Sequence, residues 1–178
     1  MISFFKSNIT YLLFILIMVP IFSCEYDPPT GTLLSYSGCK SEELISASTD
    51  SKVTNSEEIT YEQECVHYEY DGKTLYFTHV NGLFNCCPGT ISADIAIVDN
   101  TITIIEDSSD SECWCYCLFD IDYMVQNLER DIYTIKIGDS DNMKLLIECG
   151  EDMEFEIDLT TSHNGSYCAS RDGNIWYN

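Results

Sequence analysis

Ile91-Ser92-Ala93-Asp94-Ile95-Ala96-Ile97-Val98-Asp99-Asn100-Thr101-Ile102-Thr103-Ile104-Ile105 is the stretch whose pattern decides the fold class. Ile91, Ala93, Ile95 and Ile97 fall on one side of an extended chain, with Ser92, Asp94 and Ala96 opposite. Successive side chains of a strand point to opposite faces, so this period of two predicts a half-buried β-strand. Asp99-Asn100 interrupts the alternation and Thr101 to Ile105 resumes it. Two turn-forming residues between two such runs predict a hairpin.

The same period extends outward in both directions. Leu75, Phe77 and His79 share a face upstream. Downstream, Cys113, Cys115, Cys117, Phe119, Ile121 and Tyr123 alternate, followed by Tyr133, Ile135 and Ile137. Beyond a turn at Gly138-Asp139-Ser140-Asp141-Asn142, Met143, Leu145, Ile147 and Cys149 predict another strand, and Phe155, Ile157 and Leu159 a last one. Roughly six to eight short strands without a helical segment predict an all-β sandwich or barrel, and a resemblance at one corner then implies an immunoglobulin/fibronectin-III-like antiparallel β-sandwich. Leu128 and Tyr133 sharpen this expectation. Their spacing resembles a tyrosine corner, in which the hydroxyl bonds back to the backbone of the preceding turn. Asp131, which tolerates left-handed backbone, stands where a glycine is often found.

The N-terminus reads as an export signal. Lys6 supplies a positive charge, and an apolar run from Ile9 to Phe22 follows, broken by Thr10, Tyr11 and Pro20. A spanning helix needs about 20 apolar residues, so the run fits a signal-peptide core better than an anchor. Ile21-Phe22-Ser23-Cys24 resembles the lipobox of bacterial lipoproteins, with Phe22 bulkier than the usual residue. That resemblance implies cleavage before Cys24 and acylation of its thiol, giving a lipid-bilayer partner. The expected organisation is a signal peptide over 1–23, a lipidated cysteine and flexible tether over 24–40, and one domain over 41–178 with its ordered body from about 65. Pro28, Pro29, Gly31 and Gly38 carry the tether reading.

The formal net charge is −22, and losing residues 1–23 would remove only one base, Lys6. Such a chain lacks the basic stripe that replaces counterions on nucleic acid, and it is repelled by anionic lipid. Solubility, a cationic partner and divalent ions all suit this charge. The acidic stretches Asp107 to Glu112 and Asp139 to Asn142 lack the ordered spacing of an EF-hand loop, leaving Ca²⁺ as an opportunistic ligand.

Ten cysteines are many for 178 residues. With Cys24 assigned to lipid, Cys39, Cys65, Cys86, Cys87, Cys113, Cys115, Cys117, Cys149 and Cys168 are disulfide candidates in an oxidising compartment. Their number is odd, so one is unpaired, metal-bound or shared with another chain. Cys113, Cys115 and Cys117 on one strand face would be bridged by two bonds to the adjacent Cys86 and Cys87. Sequence proximity pairs Cys39 with Cys65 and Cys149 with Cys168. The alternative is a metal centre: His79, Cys86, Cys87, Cys113, Cys115 and Cys117 offer soft ligands for Zn or Cu(I), although their spacing is not that of a zinc knuckle. A redox-active thiol or a vicinal Cys86–Cys87 bridge is a further reading of the same residues.

Asp120 and Asp122 share a strand face, as a solvated surface, a Ca²⁺ site or a carboxylate-dependent hydrolase would have them. Trp114 and Tyr116 point away from the cysteine face, either into a second layer or toward a sugar or partner. No serine occupies a nucleophile elbow and no glycine-rich phosphate loop occurs.

Phe77-Thr78-His79-Val80-Asn81, Phe84-Asn85-Cys86-Cys87-Pro88, the Cys113-to-Cys117 run leading to Leu118-Phe119-Asp120, and Asn127-Leu128 with Tyr133 to Ile137 together resemble a group of small lipoproteins of Bacteroidota. The likeness spans roughly residues 65–138. It implies an outer-membrane or cell-surface address, with Glu25 and Asp27 compatible with a surface-export signal, and no particular activity. Three function classes follow: a non-enzymatic module binding an envelope or extracellular protein or glycan without a cofactor, a metal-binding lipoprotein, and a hydrolase.

Overall fold

The computed structural model describes residues 27–40, 60–108, 115–140 and 152–171. These form nine strands: β1 (Thr30–Tyr36), β2 (Gln63–Tyr70), β3 (Leu75–Asn85), β4 (Ser92–Val98), β5 (Thr101–Asp107), β6 (Tyr116–Gln126), β7 (Ile132–Asp139), β8 (Met153–Asp158) and β9 (Asn164–Ser170). Among the described residues there is no helix. Five strands make one sheet in the order β1-β6-β3-β2-β9, and four make the other in the order β4-β5-β7-β8.

The deciding stretch behaves as its alternation predicts. Ala93, Ile95 and Ile97 pack against the core while Ser92, Asp94 and Ala96 face solvent. Asp99 takes φ 50°, and Val98 pairs with Thr101 across the two-residue turn. Asn100 then accepts from the Thr134 amide through its carbonyl and donates through its side chain to the Ile132 carbonyl, tying the hairpin to β7.

Inward-facing side chains from both sheets meet in one core. Ile102, Ile104, Ile135, Ile137, Phe155 and Ile157 come from the four-stranded sheet, and Val66, Phe77, Ile121, Tyr123 and Val125 from the other. Each large apolar side chain so buried contributes roughly 1.5–3 kcal/mol relative to exposure. The architecture is therefore the all-β sandwich expected. One pairing departs from a wholly antiparallel scheme: β5 and β7 run parallel. The chain leaves β5 for β6 in the opposite sheet and returns as β7, and two crossings restore the original direction.

The bond expected at the corner of Leu128 and Tyr133 is present, but the left-handed residue is Asn127 (φ 60°), not Asp131. Leu128 is buried, and the Tyr133 hydroxyl donates to the Glu129 carbonyl at 3.1 Å. The Tyr70 hydroxyl adds a second bond, to the Leu128 carbonyl at 2.9 Å.

Two segments differ from expectation. Residues 30–36, placed in a flexible tether, form β1 and pair with β6 from Thr30–Gln126 to Tyr36–Ile121. A register shift between Leu33 and Ser35 breaks the alternation there, which hides the strand from a period-two reading. Residues 164–170 had no strand assigned, yet β9 pairs with β2 along its length. It is an edge strand, mostly exposed, with Gly165, Ser166, Ala169 and Ser170 giving it little apolar signal. The expected signal peptide, Cys24, Cys113, Trp114, the strand expected over 143–149, and Cys149 lie outside the described residues.

Candidate functional site

The cysteines resolve first. Cys65 on β2 and Cys168 on β9 stand directly opposite each other and are bridged, with Cα atoms 4.1 Å apart. Cys39, just after β1, is bridged to Cys117 on β6, and Cys86, just after β3, to Cys115, just before β6; both pairs have Cα atoms 5.5 Å apart. Cys87 is disulfide-bonded as well. The Cys86–Cys115 bridge is of the expected kind, joining the vicinal pair to the three-cysteine run. The expected pairing of Cys39 with Cys65 is replaced by Cys39–Cys117, and that of Cys149 with Cys168 by Cys65–Cys168. Sheet register, not proximity along the chain, brings the sulfurs together.

Of the six ligands proposed for a metal, the five among the described residues do not assemble. Cys86, Cys87, Cys115 and Cys117 are in disulfides and carry no thiolate to offer. Cys113 lies outside the described residues. His79 is not at a strand end beside them, because β3 continues to Asn85. No group of three or more His, Cys, Asp or Glu among the described residues is arranged around a metal position.

His79 instead sits at the heart of a buried polar network. It shares its inward face with Leu75 and Phe77 and is 2 % exposed. Its Nδ1–H donates to Glu106 Oε1 on β5 at 2.9 Å, and its Nε2–H donates to Glu64 Oε1 on β2 at 2.6 Å. The Tyr123 hydroxyl on β6 also donates to Glu106 Oε1. Arg171 donates to Glu64 Oε2 at 2.9 Å and to the Asn81 carbonyl. Burial opposes charge on the ring, but Glu106 and Glu64 outweigh it and hold the His79 pKa up to about 10. Burial likewise pushes against ionised Glu64, yet His79 and Arg171 hold it below its usual range. Burial, then the charge of Glu106, raises Tyr123. The two acids thus favour the protonated ring of His79 between them, with the Tyr123 phenol donating to Glu106 alongside.

Asn81 extends the network toward the surface. It occupies the irregularity in β3 between His79 and Gly82, with φ 65°. Its amide donates to the Thr60 and Gln63 carbonyls at 3.1 and 2.9 Å, and its oxygen accepts from Lys40 Nζ at 2.9 Å. Lys40 also pairs with Asp120 at 2.5 Å. At the other side, Asp139 at the end of β7 is raised to about 6 by burial and by repulsion from Glu106 and Glu64. Gly82 has a packing reason: a Cβ there would meet Ile121, Phe84 and the His79 ring at 3.0–3.2 Å.

Asp120 and Asp122 do lie on one face of β6, the outer one. Asp120 accepts from Lys40 and from the Asn81 amide at 3.1 Å. Asp122 accepts from Ser35 and Thr78 hydroxyls, one on each oxygen, both at 2.7 Å. Tyr116, on the same strand, is half-buried.

Sequence reasoning singled out His79 but not its partners. Glu106 had a signal: it continues the inward run Ile102, Ile104, and an acid on an apolar face needs a buried partner. Glu64 and Arg171 lie in stretches with no pattern to aim them. Compared with protein-family models, with curated proteins and with solved structures, the chain has no match.

Proposed function

We propose that this chain is a lipid-anchored, non-enzymatic binding module of the bacterial cell envelope. Residues 1–23 act as the signal peptide, Cys24 carries the lipid, and the sandwich presents its surface to a protein or glycan partner. The observation that carries the extracytoplasmic part is the set of disulfides: Cys39–Cys117, Cys65–Cys168 and Cys86–Cys115 are long-range bridges. Bridges of this kind form and persist in oxidising compartments. The binding part is supported by the state of the reactive side chains. His79, Glu64, Glu106 and Tyr123 occupy one another in the interior, where they serve the fold.

The test is metabolic labelling with an acyl-chain probe in a bacterial host making the full chain. Label on the wild type that is lost in Cys24→Ala, with release of the protein from the membrane fraction, is the expected result. A full-length chain that keeps its first residues and takes no label would overturn the anchoring.

A further inference from the structure

The outer face of the five-stranded sheet holds a groove of about 370 Å³. Its floor is built from two adjacent rungs. In one, His67, Thr78 and Asp122 lie side by side on β2, β3 and β6; in the next, Glu69 and Tyr76 do so on β2 and β3. The irregularity in β1 leaves Leu34 exposed at the rim, at 49 %. Tyr76 is 42 % exposed, directly opposite Glu69 and diagonal to Asp122. Opposite and diagonal neighbours in a sheet are about 5 and 7–8 Å apart, within reach of one long side chain lying on the tyrosine ring.

Two features of this groove point to its occupant. The Ser35 and Thr78 hydroxyls fix the Asp122 carboxylate. A carboxylate offers about four acceptor positions, so it still has room for a ligand donor. By contrast, the side chains of Glu69, His67 and Tyr76 make no hydrogen bond or ion pair among the described residues. The groove contains two carboxylates and an aromatic face, and among the described residues no lysine or arginine lines it. Lys40, Lys136 and Arg171 are spent on Asp120, Glu154 and Glu64 elsewhere. A net charge of −22 draws cations toward the whole molecule.

From this geometry we infer that the groove binds the arginine or lysine side chain of a cationic peptide segment of a partner protein. The cation lies over the Tyr76 ring and is shared between Glu69 and Asp122, with Leu34 covering its aliphatic stem. This rests on the binding-module reading and names its surface; it does not depend on the lipid.

The test is amide-resolved NMR titration of soluble residues 25–178, oxidised, with a short Gly-Arg-Gly-Arg-Gly peptide and, in a parallel arm, with a neutral oligosaccharide. Saturable shifts confined to β2, β3 and β6 around Tyr76, weakened about tenfold by Tyr76→Ala and reduced similarly by Glu69→Gln, are expected. Raising the salt from about 0.05 to 0.5 M shortens the screening length and must weaken them further. Both variants sit on the solvent face, and an unchanged spectrum outside the groove shows that they fold. Shifts scattered over every acidic surface, or unaffected by the two variants, would overturn the groove. Shifts at the groove with the oligosaccharide and none with the peptide would overturn the cationic occupant while leaving a binding module standing. Silence in both arms would overturn the groove as a site, and the acyl-labelling result would be untouched by it.

Discussion

The two sheets of this sandwich are held together by different means. The five-stranded sheet carries every disulfide described: Cys65–Cys168 joins β2 to β9, and the other two bridges fasten the segments flanking β1, β3 and β6. It also supplies His79, Glu64 and Tyr123 to the buried network. Among the described residues, the four-stranded sheet has no cysteine in its strands and contributes Glu106 to the hydrogen-bonded network. Its hold on the core is packing by Ile102, Ile104, Ile135, Ile137, Phe155 and Ile157. A covalent frame tolerates a polar outer surface and a charged interior; a sheet without one depends on dense hydrocarbon contact.

The contrast can be broken from the covalent side first. Replacing Cys65 and Cys168 together by serine opens a loop of 103 residues, which in the chain-entropy model costs roughly 5 kcal/mol. Hydrogen exchange should accelerate at β2 and β9 before it does in β5 and β7; equal acceleration everywhere would mean the sheets are one cooperative unit. Next in size is Glu106→Gln. It removes the charge that balances buried His79, a loss of about 3–5 kcal/mol in urea unfolding. Because Glu106 is the member of the four-stranded sheet that hydrogen-bonds His79 among the described residues, a loss under ~1 kcal/mol would show that the network does not couple the sheets. Ile104→Val trims one buried methyl and should cost about 1 kcal/mol, the ordinary price of packing.

Protonation sharpens the same comparison. His79 has its folded pKa raised from 6.5 to about 10, so its contribution is complete below pH 6.5 and is lost as the pH climbs through 10. Glu64 is shifted down, so its contribution is present above its usual pKa and is lost on acidification. Asp139 acts in the opposite sense. Its folded pKa is raised to about 6, so the folded state holds the proton more tightly and stability falls as pH rises from 3.8 to 6. Asp139→Asn should flatten that slope and move the urea midpoint at pH 7 slightly upward, the smallest effect of the series. A midpoint that falls would mean Asp139 has a favourable partner at neutral pH.

The legible and illegible parts of the sequence divide along the same line. The packing sheet was readable, because Ile95, Ile97, Ile102, Ile104, Ile135 and Ile137 mark alternation that a strand alone explains. In the covalent sheet, the edges β1 and β9 were hidden by an irregular register and by small polar residues. The pairings Cys39–Cys65 and Cys149–Cys168 fail because chain proximity says nothing about which strands become neighbours. His79 stood out by its type, but its partners come from β2 and β5, and the arginine that holds Glu64 from the residue after β9; their meeting is a property of topology.

The β2–β9 pairing also sets a timetable. Cys65 finds its partner only when Cys168, made 103 residues later, has emerged, and Arg171 closes the inner network later still. Thiols made early meet one another first, since short loops close at lower entropic cost than long ones. The order of synthesis is therefore not the order of pairing: Cys39 and Cys65 are exposed together long before Cys168 exists. A catalyst that shuffles early wrong bridges should govern the yield of this protein, and unassisted oxidation should trap it as bridge isomers.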